Sequence, residues 1–254
     1  MRPLMRNLAA GVGVTACLLL AGVVVAMTVQ PVAVDMKMAG RQASAPVRVE
    51  NNGPNPLPVE VRIVETDFAE DTVTASDRVS EDVLVFPPQA IIAPGETQVF
   101  RLQYVGDPGG DRSRHYYAEV SQLPVELPEG QSAIQILYNF QVMVNVASMN
   151  AEVADLSITG TEIFKNGEGK YLPVFTVRNA ARNYGYLSTS QLTIVHKDAV
   201  GRELTRRVMS SNDIQQMIGF GLVGPEKTRK FTAPVELTSD EGSVEVRIST
   251  PRRR

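Results

Sequence analysis

The sequence has little of the side-chain chemistry on which most enzymes depend. Its 254 residues include one cysteine, two histidines and no tryptophan, and only 6% of them are aromatic. Cys17 lies in the N-terminal 26 residues, so the rest of the chain can form no disulfide and has no thiol nucleophile. His115 and His196 are far apart in sequence, and neither a GxSxG motif nor a phosphate-binding loop is present. These absences predict a protein that is not an enzyme and uses no metal and no cofactor.

The charge balance gives no reason to expect a nucleic-acid partner. The formal net charge is −3, and the basic residues after position 165 alternate with acidic ones instead of forming a stripe. The terminal PRRR is predicted to be a solvated tail.

The N-terminus predicts export. Arg2 and Arg6 precede a run without charge that continues to Val34, and small residues lead up to Ala26. A basic start, an apolar segment and small residues are typical of a secretory signal, here residues 1–26 with cleavage after Ala26. The alternative is an uncleaved membrane anchor, because positions 8–27 are long enough to span a bilayer. Both interpretations place the remaining chain outside the cytoplasm, with no membrane contact unless the segment is retained.

Short alternating or β-branched runs, separated by Pro, Gly and Asn, recur from position 28 onward. About seven such runs lie between 28 and 147, and a second series follows position 154. The spacing predicts an all-β fold with two immunoglobulin-like β-sandwich domains in tandem, at 27–147 and 155–254, joined by a linker at 148–154. The segment SSNDIQQMIGF predicts either a loop or a helical turn with Ser211 or Asn212 as its N-cap.

One predicted strand is unusually long. In SAIQILYNFQVMVNVAS, every even position from 134 to 146 is apolar, whereas most odd positions are polar. This period of two predicts a strand over 132–147 that carries no charge, and strands usually contain about 5 to 6 residues. Such a strand is either buried in the middle of a sheet or left at an edge for a partner.

Several segments, in order, resemble the PapD-like periplasmic pilus-assembly chaperones of the chaperone–usher type. FPPQAIIAPGETQVFRL, RHYYAEVSQLP and the long strand resemble the first domain of that family, and VENNGPNPLPVEVRI fits its second and third strands. PVFTVRNAARNYGYLSTSQLTI and GFGLVGPEKTRKF resemble its C-terminal domain. The resemblance covers most of 28–250. It implies a periplasmic chaperone whose partners are pilus (fimbrial) subunits and an outer-membrane usher.

The resemblance also implies a role for the long strand. Chaperones of this family lend their seventh strand to a subunit whose own sandwich lacks one, a form of β-augmentation. The side chains lent to the subunit would be Ile134, Ile136 and Tyr138, and Phe140 and Val142 would continue toward the core of the chaperone itself.

The sequence departs from the family at the two cations that hold the terminal carboxylate of the subunit. Ala33 occupies the position of the arginine in the first strand. The long strand cannot supply the lysine, because no Lys or Arg occurs between Arg114 and Lys165. Arg101 is a candidate replacement, with a surface or interdomain salt bridge as the alternative. These departures leave a second functional interpretation open, an extracytoplasmic protein-binding or structural module with no pilus role.

Overall fold

The computed structural model describes residues 27–124 and 136–249, which form two β-sandwich domains. The strands of the first domain are β1 (Met27–Gln30), β2 (Ala33–Lys37), β3 (Ser44–Asn51), β4 (Leu57–Phe68), β5 (Val73–Val79), β6 (Val83–Phe86), β7 (Gln89–Ile92), β8 (Thr97–Tyr104), β9 (Arg114–Gln122) and β10 (Asn139–Ala147). The second domain contains β11 (Leu156–Lys165), β12 (Tyr171–Asn179), β13 (Gly185–Tyr186), β14 (Gln191–Lys197), β15 (Glu203–Met209), the helix α1 (Ser211–Met217), β16 (Leu222–Val223), β17 (Thr228–Thr232) and β18 (Ser243–Ser249). Short 3-10 turns lie at Gly40–Ala43 and Leu187–Thr189.

Two sheets enclose the core of the first domain. One has the strand order β1-β3-β8-β6, and the other has the order β2-β10-β9-β4-β5, with β7 also paired to β4. The alternation of the sequence sets which face is buried. In β3, for example, Val47 and Val49 are fully buried while Arg48 between them is exposed. The sequence-based prediction of a sandwich is therefore confirmed for this half of the chain.

The first domain contains more strands than the seven that the sequence predicts. Pro31 and Val32 separate β1, which pairs with β3 in one sheet, from β2, which pairs with β10 in the other. Pro87 and Pro88 likewise separate β6 from β7, and these two strands belong to different sheets. Proline has no N–H to donate to a ladder, so each proline site ends one pairing and allows the chain to change sheets.

The second domain is built from the sheets β11-β12-β17 and β15-β14-β18 with the short pair β13-β16. Its core includes Phe175, Leu192 and Ile194, all essentially buried. The segment predicted as a loop or a helical turn is the helix α1. Its N-cap is Ser210, not Ser211 or Asn212, because the Ser210 hydroxyl accepts from the backbone N–H of Asp213 while the Asp213 carboxylate accepts from the N–H of Ser210.

The predicted export segment, residues 1–26, lies outside the described residues. Within the two described ranges, no helix is both long and apolar enough to cross a bilayer.

Candidate functional site

The strand β10 has an edge that is only partly covered. On one side it pairs with β9 in antiparallel fashion along Asn139–Val146. On the other side the parallel strand β2 begins only opposite Met143, whose N–H donates to the Val32 carbonyl at 3.1 Å. Among residues 27–124 and 136–249, none pairs with this second side of β10 before Met143. Within the described ranges, the start of the long strand therefore has an open sheet edge.

The backbone groups on the open edge follow from the register. Tyr138 accepts a hydrogen bond from the N–H of Gln122 at 2.8 Å, which makes the even-numbered residues of β10 the hydrogen-bonded partners of β9. The odd-numbered residues point their N–H and C=O groups to the opposite side. The N–H of Met143 donates to the chain at the start of β2, whereas the N–H and C=O groups of Asn139 and Gln141 face the open edge. A strand added here would therefore pair with Asn139 and Gln141 without disturbing the β9 ladder.

The side chains named by the sequence analysis change from exposed to buried along this strand. Ile136 is 70% exposed, Tyr138 and Phe140 are half-buried against the core with their ring centroids 6.5 Å apart, and Val142 is only 1% exposed. Ile134 lies outside the described residues. Even-numbered side chains of β10 face the interior of the sandwich. The row of apolar side chains therefore begins in the core at Val142 and extends beyond the core to the exposed Ile136.

The regular strand is shorter than the predicted span of 132–147. β10 begins at Asn139, and residues 136–138 are described but belong to no strand. Its partner β9 ends at Gln122, and the next residue whose backbone would face β10, Pro124, has no N–H to donate. The ladder ends where the partner ends, which sequence periodicity does not reveal.

Ala33, which the resemblance places where an arginine was expected, is neutral, and so is its strand partner. It pairs with Met143 at the point where the open edge ends. Arg101, the candidate replacement, lies on the exposed face of β8 opposite Pro46 and Phe86. This is the sheet to which β10 does not belong.

A polar cluster joins the two domains on the outer face of the sheet that contains β10. Asp35, Asn145 and His115 lie in one row across β2, β10 and β9. The Asp35 carboxylate accepts hydrogen bonds from the hydroxyls of Tyr184 and Tyr186 of the second domain, at 2.8 and 2.6 Å. The Asn145 amide donates to the Tyr186 hydroxyl at 2.6 Å. The outer face of this sheet is therefore joined to the second domain through hydrogen bonds from two tyrosine hydroxyls to the Asp35 carboxylate.

His115 is the buried end of this row. One ring nitrogen is 2.7 Å from the Asn145 side-chain oxygen, and the other is 3.0 Å from the Ser113 hydroxyl. The ring also packs edge-on against Phe68 of β4 and Tyr184 of the second domain. Burial lowers the pKa of His115 to about 4, although Asn145 and the charge of Asp35 oppose the shift. The ring is consequently neutral near pH 7, and it serves as a packing and hydrogen-bonding group.

Burial and the adjacent Asp35 raise the pKa of both cluster tyrosines, so their hydroxyls remain donors to the carboxylate. Sequence reasoning did not find this cluster. Asp35 and Tyr186 are 151 positions apart, and nothing local relates them. The one signal in the sequence was Asn145, a polar residue between Val144 and Val146 near the end of an apolar strand. A buried Asn requires a hydrogen-bond partner.

Part of the chain matches a known protein family. Residues 26–146 match the family model described as "Pili and flagellar-assembly chaperone, PapD N-terminal domain". Among curated proteins, none matches the chain at the sequence level. The matched range contains β1 to β9 and all of β10 except its last residue, and thus both the open edge and the crossover between β1 and β2.

Solved structures resemble the chain over both domains. The chain is 17% identical to the YadV chaperone, with a TM-score of 0.51 and coverage of 88% of this chain and 92% of that one. A chain from a chaperone–tip adhesin complex of CFA/I fimbriae biogenesis is 12% identical, with a TM-score of 0.51 and coverage of 90% and 93%. A chain from the Salmonella enterica complex of SafA pilin with the SafB chaperone is 15% identical, with a TM-score of 0.50 and coverage of 87% and 88%. The chain therefore has the two-domain fold of these chaperone structures, and residues 26–146, which make up most of its first domain, match the PapD N-terminal domain model of pili and flagellar-assembly chaperones.

Proposed function

We propose that this protein is a periplasmic chaperone that binds fimbrial subunits by completing their unfinished β-sandwich with the start of β10, and that it passes them to an outer-membrane usher. The observation that carries the proposal is the open edge of β10, in a domain of the pilus-assembly chaperone family. Two of the similar structures come from complexes of a chaperone with a pilin or a tip adhesin.

The open edge has the two features that strand addition requires. Asn139 and Gln141 supply backbone donors and acceptors, which pair with any sequence and give no selectivity. Ile136, Tyr138 and Phe140 supply a row of apolar side chains on the face that an incomplete sandwich would bury. Complete burial of such a side chain contributes roughly 1.5–3 kcal/mol before the cost of ordering. Val142 already belongs to the core of the chaperone, so it can add little to the contact.

The remaining parts of the proposal are export and delivery. The N-terminal segment 1–26 supports export to the periplasm by a cleaved signal. Transfer to the usher would require no nucleotide, because pairing of the subunit with another strand replaces the pairing with β10. The proposal assigns no catalytic step to any residue.

Ile136→Asp tests the proposal most simply. The chaperone is co-expressed with candidate fimbrial subunits, and the subunit that co-purifies is quantified. We expect at least a tenfold loss of co-purified subunit, because a carboxylate at this position would be buried without a partner. The free energy of unfolding of the free chaperone should stay within about 0.5 kcal/mol of the wild-type value, since Ile136 is 70% exposed.

Two control variants define the result. Ile91→Asp alters an isoleucine that is 76% exposed on β7 and distant from β10 in the sheet order, and it should retain the subunit. Val142→Asp should unfold the first domain, because Val142 is buried in the core. Equal loss of subunit in Ile136→Asp and Ile91→Asp, or no loss in either, would contradict the role of the open edge.

A further inference from the structure

We infer that the crossover between β1 and β2, at Pro31–Val32, is a physical stop that fixes the register of the subunit strand on β10. This inference rests on the proposed function, and it explains how the strand is aligned where Ala33 and Met143 provide no charge.

The stop follows from the position of β2. A strand added to the open edge of β10 would lie on the side that β2 occupies from Ala33 onward, so the two would be placed end to end. At Val32 this side closes, because the Val32 carbonyl takes the hydrogen bond of Met143, and Pro31 leads the chain away to the other sheet. The added strand can therefore pair with Gln141 and the residues before it, and no further.

Apolar surface is exposed at the crossover itself. Val32 is 63% exposed, and it directly precedes Ala33, where the pairing of β2 with β10 begins. An apolar side chain at the end of the subunit strand would cover the exposed Val32 side chain.

A fixed end matters because a β-ladder by itself does not set its own alignment. A strand that slips by two residues keeps the same side chains on the same face and recovers most of its hydrogen bonds. A slip by one residue is excluded by the alternation of side chains along a strand. It would point the apolar side chains of the subunit strand away from the core of the sandwich that β10 completes. The crossover excludes the slip by two residues toward Met143, because the space there is occupied by β2.

Site-directed crosslinking tests the stop. Cys17→Ser ensures that no native cysteine remains, and a benzophenone label is attached to Val32→Cys in the purified complex with the co-purifying fimbrial subunit. Mass spectrometry then identifies the subunit residues that react. We expect at least tenfold more crosslinking to one or two adjacent residues at the end of the subunit strand than to any other position. A label on Val153→Cys, which is exposed and lies between the domains in sequence, is the control and should leave that strand unlabelled.

A second label position tests the alignment on β10 itself. With the label at Gln141→Cys, the complex should give a single crosslinked position, and Pro31→Gly should not change it, because β2 still occupies the space beyond Gln141. Absence of a crosslink from Val32→Cys in a complex that still forms, or crosslinks from Gln141→Cys to positions two residues apart, would overturn the stop alone. Failure of the wild-type chain to retain any subunit would overturn the proposed function instead.

Discussion

Acidification from pH 7 to pH 4.5 is expected to destabilise the folded protein through His115, by up to about 3 kcal/mol. Its pKa is about 4 in the folded protein, compared with about 6.5 in an unfolded chain. Between these values the unfolded state binds a proton that the folded state does not, so the free energy of unfolding falls as the pH falls. The loss from this group begins below about pH 6.5 and is complete near pH 4.

Protonation of the folded protein is unfavourable because the buried ring would carry its charge away from water. Its neighbours are Asn145, Ser113, Phe68 and Tyr184, and the facing charged group is Asp35, which only partly offsets the burial. Urea unfolding at several pH values measures the effect.

His115→Gln is the matched control for this prediction. Glutamine retains a polar side chain in the row but cannot titrate, so the stability of the variant should fall less than that of the wild type between pH 6.5 and pH 4.5. Other titrating groups contribute equally to both proteins and cancel in the difference. Identical pH dependence of the two proteins would show that the titration of His115 does not affect folding.

Asn179→Ala is expected to destabilise the second domain by about 3–5 kcal/mol. Asn179 is fully buried at the end of β12. Its amide donates to the carbonyls of Asn183, Val223 and Gly224 at 2.7, 3.3 and 3.1 Å, and its side-chain oxygen accepts from the N–H groups of Ala181 and Asp155. Removal of the side chain leaves several buried backbone groups without partners, each at a cost of about 1–3 kcal/mol.

Asn166→Ala is the control in the same domain. Asn166 also accepts from two backbone N–H groups, those of Glu168 and Lys170, but these hydrogen bonds are exposed and water can replace them. We expect a loss below about 1 kcal/mol. Calorimetry should show a fall in the melting temperature of the second domain of more than about 10 °C for Asn179→Ala. Equal shifts in the two variants would contradict the role assigned to burial.

The first domain has an equivalent residue, which shows how far the sequence could predict the fold. Asn51 ends β3, donates to the carbonyls of Asn55 and Ile92, and accepts from the N–H of Gly53. In both RVENNG and TVRNAARN, an Asn at the end of a strand thus uses its side-chain amide to hydrogen-bond the backbone of the loops that follow. Alternation and turn residues were sufficient to predict strands around both sites, because these signals are local.

Features that depend on distant residues could not be predicted in this way. The change of sheet at Pro31 depends on which strands β1 and β2 find as partners, and the start of β10 depends on where β9 ends. The apolar row from Ile136 to Val142 was evident from the sequence. The resemblance implied that the first side chains of the row are lent and the later ones enter the core, but the burial of each residue became visible only in the structure, because it depends on how far the opposite sheet extends.

Hydrogen exchange at single-residue resolution tests the central claim most directly, since it reports whether the edge of β10 is open in the free chaperone and closed in the complex. In the free protein, the amides of Asn139 and Gln141 should exchange rapidly, whereas those of Phe140 and Val142, which pair with β9, should be protected. With the subunit bound, exchange at Asn139 and Gln141 should slow by at least about tenfold. Protection of Asn139 and Gln141 in the free chaperone, or unchanged exchange in the complex, would contradict the account.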